Sequence, residues 1–292
     1  MSNPTIRSLI EDGTFIVAPG VFEMVSARIA DRMGFHALYM TGYGTTASYL
    51  GLPDAGLATY SDMVLRAGQI AGGTATPLIA DADTGYGGLL NVRHTVRGYE
   101  AAGVQAIQME DQEMPKKCGH TPGRHVVPLE DMLMKIEVAV EARRSADTLI
   151  VARTDARTDH GLDEAIRRGQ AFAKAGADVI FVESPESEDE FERIGQEIDA
   201  PLLANMVPGG RSPMIAAETL AAWGFDIAIY PGVGLSCAAE ALRRAYGAIR
   251  QNGDASGLKD AMWHEGSLHD LMGFPEIWEF EKRWGRMSDA AE

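Results

Sequence analysis

The stretch Ala101-Ala102-Gly103-Val104-Gln105-Ala106-Ile107-Gln108-Met109-Glu110-Asp111 holds the unit from which the chain is built. A helical pattern ends at a glycine suited to the left-handed position that terminates helices. A short apolar run of strand length follows, and then two carboxylates. The same break recurs in Arg32-Met33-Gly34-Phe35, Lys174-Ala175-Gly176-Ala177 and Ala222-Trp223-Gly224-Phe225. Outward from it, strand-length apolar runs lie at Phe15 to Ala18, Ala37 to Met40, Leu78 to Ala80, Ala106 to Met109, Leu149 to Ala152, Val179 to Val182, Leu202 to Ala204 and Ile227 to Tyr230. Eight strand and helix units predict a parallel sheet, and eight is the number that closes a (β/α)8 barrel of TIM type rather than leaving an open doubly wound sheet.

Residues 1–257 are assigned to that barrel, with a helix from an N-cap at Ser236 to about Gln251. Residues 258–292 form a C-terminal helical extension of the same domain, broken at Gly273 and Pro275. Trp263, Trp278 and Trp284, with Phe274 and Phe280, lie in this tail. Such aromatics need burial on their own barrel or on a neighbouring subunit.

Composition narrows the function. Hydrophobic residues make up 46% and charged residues 23% of 292, which is ordinary for a globular protein and far from disorder. The net charge of −16 disfavours nucleic acid and anionic membranes as partners. Two cysteines cannot make a disulfide framework, and no charged start precedes an apolar run, so a cytoplasmic protein is expected.

In a barrel the residues at the strand ends gather at one face. Those positions hold Thr41-Gly42-Tyr43, Asp81-Ala82-Asp83, Glu110-Asp111, Arg153-Thr154-Asp155, Glu183 and Asn205. Each taken alone suits a turn or a helix cap equally well. Asp81 and Asp83 are two apart and Glu110 ends the adjoining strand, so their carboxylates share a site and repel unless a proton or cation intervenes. Oxygen ligands without a zinc-type His or Cys run select a hard ion, Mg²⁺ or Mn²⁺. The alternative has Asp83 capping its turn. Lys116-Lys117-Cys118-Gly119-His120 places a thiol in positive potential, which suits proton exchange, though a solvated basic loop would read the same way. Arg153 is equipped to hold a substrate carboxylate, or else to pair with Glu183 or Asp155.

These motifs, together with Leu50-Gly51-Leu52-Pro53-Asp54 and Asn205-Met206-Val207, resemble the isocitrate lyase and phosphoenolpyruvate mutase superfamily over nearly the whole chain. The resemblance implies a (β/α)8 barrel with Mg²⁺ held by Asp81 and Asp83, and with Asp54 and Glu110 around them. It implies substrate contacts from Thr41, Gly42, Tyr43, Gly119, His120, Arg153, Glu183 and Asn205, and a C-terminal helix exchanged within a homotetramer. The Lys-Lys-Cys-Gly-His loop is similar to the lyase branch, where the cysteine protonates the enolate product, so Cys118 and Arg153 become catalytic residues, and Tyr43 and Glu110 become candidates for the base. Ser236 and Glu265 stand about where methylisocitrate lyases use arginines, and Asn205 to Pro213 resembles the 2,3-dimethylmalate lyase and oxaloacetate-cleaving branches. The implied activity is Mg²⁺-dependent cleavage of a 2-hydroxy dicarboxylate into a 2-oxo acid and a second acid. The alternatives are oxaloacetate hydrolysis or decarboxylation, a carboxyphosphonoenolpyruvate mutase, and a non-catalytic dicarboxylate sensor, for which a proton donor would be superfluous.

Overall fold

The computed structural model describes residues 4–119 and 123–285. The chain divides into two compact units, Met1–Ser236 and Cys237–Glu292. Eight described strands of the first unit form the expected closed barrel: β1 (Ile16–Val21), β2 (Leu38–Met40), β3 (Leu78–Asp81), β4 (Ala106–Glu110), β5 (Leu149–Thr154), β6 (Val179–Val182), β7 (Leu202–Asn205) and β8 (Ile227–Tyr230). Neighbours are parallel, and β1 closes on β8 with Ile16 opposite Ile227. The helix-ending glycines serve as expected: Gly103 and Gly176 adopt φ +91° and +101°, which side chains with a Cβ avoid.

Strand alternation then decides what each face carries. Ile79, Leu149, Val151, Val179, Phe181, Leu203, Ile227 and Ile229 pack together inside the barrel. The alternate set, including Leu78, Ala80, Ile107, Met109 and Ile150, packs under the surrounding helices. Ile6 and Leu9 of the helix Ile6–Glu11 join the interior cluster, and the Ile6 N–H donates to Gln105 Oε1 just before β4, so this helix plugs the end where the strands begin. Following the interior set toward the strand ends leads in turn to Asp81, Glu110, Arg153, Glu183 and Asn205. Four of these belong to the sheet itself, because pairing continues past the apolar runs: Asp81 lies opposite Gln108, Glu110 opposite Arg153, and Asn205 opposite Ile229. Buried backbone groups need partners, so the ladder runs on even where the side chains become charged.

The helix Val233–Asn252 begins ahead of Ser236, which was expected as its N-cap. The Ser236 N–H instead donates to the Gly232 carbonyl, placing Ser236 inside the first turn. Within the second unit, helices Glu265–Met272 and Phe274–Trp284 meet at Gly273 (φ +86°), and the Phe274 and Trp278 rings lie 5.9 Å apart. Trp263, Trp278 and Trp284 remain exposed. Among the described residues no helix is long and apolar enough to cross a membrane.

One contact tests the packing. In helix Glu188–Glu197, a methyl on Gly195 would overlap the Trp223 carbonyl oxygen, and backbone cannot swing aside. Gly195→Ala should therefore cost about 1–3 kcal/mol of stability despite the better helix propensity of alanine. Gly72→Ala, with open space around it, should gain up to about 1 kcal/mol. Urea denaturation midpoints check the pair, and a stabilised Gly195→Ala variant contradicts the packing argument.

Candidate active site

The rim of the barrel encloses a cavity of about 300 Å³, at the small end of ligand sites. Thr41, Tyr43, Asp54, Asp81, Cys118, Gly119, Arg153, Glu183 and Asn205 all line it. Three other residues expected at the site stand behind the wall: Gly42, Asp83 and Glu110. His120 lies outside the described residues.

Asp81 is positioned from three sides. The Gly42 N–H donates to Oδ2 at 3.2 Å and the Asp83 N–H to Oδ1 at 2.9 Å, while the Tyr99 hydroxyl donates to its carbonyl at 3.1 Å. A Cβ on residue 42 would collide with the Asp81 carboxylate, which explains the glycine there. Asp83 itself turns back with φ +49°, and its carbonyl accepts the Glu110 N–H at 2.9 Å, tying the ends of β3 and β4 together.

Lys116 was expected to lend its charge to the thiol beside it. The structure gives it another role: its buried ammonium lies 2.6 Å from both Asp54 Oδ1 and Asp83 Oδ1. Burial alone would lower the Lys116 pKa, but Asp83, Glu110, Asp81 and Asp54 together hold it well above the ordinary lysine range. Lys117 turns to the Gly123 carbonyl at 2.7 Å. Asp54 also accepts the Cys118 N–H through its carbonyl at 3.1 Å, so the Asp54 loop fixes the backbone on which the thiol is carried.

Arg153 is the one cationic side chain among the described lining residues. Its Nε and one terminal nitrogen grip Asp155 in a two-point fork, both at 2.9 Å, with Glu110 and Glu183 each 3.5 Å away. The Asp155 pairing left open by the sequence is therefore made. Glu183 accepts from Asn205 Nδ2 at 3.1 Å and from the Ser184 hydroxyl at 2.9 Å. Sequence reasoning missed Tyr39, which lines the floor and donates to Gln108 Oε1 at 2.6 Å. Burial, then the nearby Asp81 charge, keeps its phenol neutral. The alternation of β2 could have revealed it, since Tyr39 is two residues from Thr41. Ser236 and the Pro208 to Gly210 turn, which the resemblance had set near the substrate, also line the cavity.

The carboxylates are under electrostatic stress. Burial, then repulsion from Asp81 and Asp54, pushes Asp83 up to about 7 against the pull of Lys116, and burial raises Glu110 well above the ordinary range. Glu110 Oε1 is buried with no hydrogen-bond partner among the described residues. Among those residues, no three carboxylate, thiol or imidazole groups already converge as a cage for a cation. An all-oxygen set contributing one or two carboxylates, with water and substrate completing the shell, is what Mg²⁺ accepts, so the residues present fit that ion.

With this geometry established, comparison with known proteins places it. A family model described as phosphoenolpyruvate phosphomutase matches residues 6–250. The chain is 47% identical over 279 residues to the 2,3-dimethylmalate lyase of Eubacterium barkeri, covering 96% of each chain. It is 42% identical to the 2-methylisocitrate lyase of Aeropyrum pernix, covering 98% of this chain and 91% of the other. Among solved structures, an oxaloacetate acetylhydrolase in complex with the inhibitor 3,3-difluorooxalacetate superposes with a TM-score of 0.92 at 37% identity, covering 98% of each chain.

The Lys116 bridge carries a prediction. Lys116→Met leaves Asp54 and Asp83 buried without their counter-charge, which should cost about 3–5 kcal/mol at pH 8 in the presence of chelator. The folded variant would then bind protons more readily than the unfolded chain, so the deficit should shrink as pH falls to about 5.5. Chemical denaturation at the two pH values checks this; a variant as stable as the parent at pH 8 contradicts the bridge.

Proposed function

The chain belongs to the isocitrate lyase and phosphoenolpyruvate mutase superfamily and is a carbon–carbon lyase, and we propose that it cleaves a 2-hydroxy dicarboxylate of the 2-alkylmalate type into a 2-oxo acid such as pyruvate and a second carboxylic acid. The observation that carries this reading is the grouping, in one small cavity, of an acid cluster, a thiol and a single arginine among the described lining residues.

Asp81 and Asp83, with Asp54 and Glu110 around them, would hold Mg²⁺ or Mn²⁺, which would supply Lewis-acid charge at the 2-hydroxy acid end of the substrate. Thr41 and Tyr43 bound that end of the substrate, and the Gly42 N–H holds Asp81 from behind. Loss of the hydroxyl proton lets the oxygen lone pair form the new C=O bond as the C2–C3 bond breaks, and the released electron pair spreads into the far carboxylate. Tyr43 lines the cavity as a candidate acceptor of the hydroxyl proton, whereas the second candidate, Glu110, stands behind the wall. Arg153, held flat by Asp155, stabilises the enediolate that forms. Glu183, Asn205, Gly119 and His120 complete the substrate contacts, and the buried Asn205 Oδ1, without a partner among the described residues, is an acceptor ready for a substrate donor. Cys118 gives its thiol proton to C3, completing the acid product and leaving a thiolate.

Arg153 would meet one substrate carboxylate, and a bound divalent ion would meet the other. A third would face Pro208 to Gly210 and Ser236, none of which offers it a cation. We further propose a cytoplasmic enzyme assembled as a homotetramer whose C-terminal helices exchange, with residues 1–257 as the catalytic domain; the exposed tail aromatics support the assembly.

Two measurements test the chemistry. Chelation should abolish turnover and added Mg²⁺ should restore it, while Cys118→Ser should lose about 10²–10⁴-fold in kcat yet still bind pyruvate. A metal-free protein at full rate, or a serine variant near the parental rate, removes the corresponding role. For the substrate, catalytic efficiencies for 2,3-dimethylmalate, 2-methylisocitrate and oxaloacetate should be compared at fixed Mg²⁺, with dimethylmalate expected first. Preference for methylisocitrate would reveal a cation outside the described lining residues, and preference for oxaloacetate would establish the hydrolase.

A further inference from the structure

Asp155 follows the last residue of β5 and, in the chemistry assigned above, serves only to hold Arg153 flat. Its carboxylate is fully buried, and two guanidinium groups share it. Oδ1 accepts from Arg124 at 2.6 Å and from Arg153 at 2.9 Å, and Oδ2 accepts from Arg153 Nε at 2.9 Å. Arg124 is itself buried and also donates to the Thr158 hydroxyl at 2.6 Å. The backbone N–H of Asp155 donates to Asp111 Oδ1 at 2.9 Å, and the Asp111 N–H donates to the Arg153 carbonyl at 3.2 Å.

Asp111, Gly119 and Arg124 all belong to the segment that leaves β4, carries Cys118 and enters the helix Leu129–Ala142. Gly119 packs so closely on Arg153 and Glu183 that a Cβ there would overlap the guanidinium. Three points of the Cys118 segment therefore meet one rigid pair, Arg153 and Asp155. A fork-to-fork carboxylate contact fixes the plane of Arg153, and the second guanidinium on the same oxygen fixes the segment relative to that plane.

We propose that Asp155 and Arg124 are positioning residues that hold the Cys118 segment in register with Arg153, so that the group stabilising the enediolate and the group protonating it share one anchor. This deepens the functional reading and rests on its roles for Arg153 and Cys118. Misplacement of a reacting group by about 1 Å can cost 10²-fold in rate, so the anchor has a kinetic consequence beyond folding.

The test uses Arg124→Met and Arg124→Lys in the full-length protein with Mg²⁺, because removing Arg124 leaves Asp155 still paired with Arg153. The Met variant should lose roughly 10–100-fold in kcat on dimethylmalate with KM changed less than about 3-fold, and the Lys variant should recover most of the loss. In a Cys118→Ser background the same Met substitution should cost less than about 2-fold, since groups acting as one unit are not additive. An independent arm measures iodoacetamide labelling of Cys118, resolved by peptide and normalised to the exposed Cys237. The Cys118 rate should change in the Met variant and return in the Lys variant. Unchanged kcat together with unchanged labelling overturns the proposal, as does a loss that lysine fails to recover and that adds fully to Cys118→Ser. If no substrate turns over in the parent, the reaction assignment has failed instead, and the labelling arm alone then decides the anchor. Should Arg124→Met not fold, Arg124→Gln carries the same arms.

Discussion

Charges of one sign cannot share a dry rim without counter-charges, and that constraint organises this molecule. Closing eight parallel strands aims the inward positions of successive strands at a single mouth, and here those positions end in Asp81, Glu110, Arg153, Glu183 and Asn205, all largely buried. Behind them stand Asp83, Asp111 and Asp155. Water is too scarce there to screen their repulsion, so each acid must find a cation, a donor or a proton. The chain as a whole carries −16, yet it brings Lys116, Arg124, Arg153 and Arg168 into this one region.

How those cations are committed determines what a ligand meets. Lys116 is taken by Asp54 and Asp83, Arg168 by Asp111 and Glu164, and Arg124 by Asp155 and Thr158. Arg153 alone among the described cations both pairs internally and faces the cavity. The site is thus polarised, with acids able to share a divalent ion and one guanidinium able to meet a carboxylate. Cys118 lines the same cavity. A small dicarboxylate with a 2-oxygen matches that distribution of charge.

The backbone contributes as well. Asp83, Tyr86 and Ser184 adopt φ near +50° to +60° just past β3 and β6, a conformation costing of order 1–3 kcal/mol each for residues with a Cβ. Hydrogen bonds hold them there. Tyr86 and Tyr99 share a contact of 2.9 Å beneath Asp81, and the Ser184 hydroxyl reaches Glu183. These hydrogen bonds keep the carboxylates beside the reacting groups aimed, and the half-buried tyrosine contact stabilises the turn after β3.

The sequence by itself determined the barrel and most of the rim, because both follow from local patterns. Glycines ending helices, apolar runs of strand length and carboxylates placed after them can be read along the chain without knowing what touches what. Period-two alternation even settles which side of a strand Asp81 or Glu183 occupies. Tertiary structure alone decided the pairings. Nothing near Lys116 in sequence shows that its ammonium lies between Asp54 and Asp83 rather than beside Cys118, that Arg124 and Arg153 share Asp155, or that Glu110 sits behind the wall while Tyr39 reaches it. These outcomes depend on charges from separate loops meeting across the mouth of the closed barrel, where burial strengthens electrostatics that are weak along an open chain.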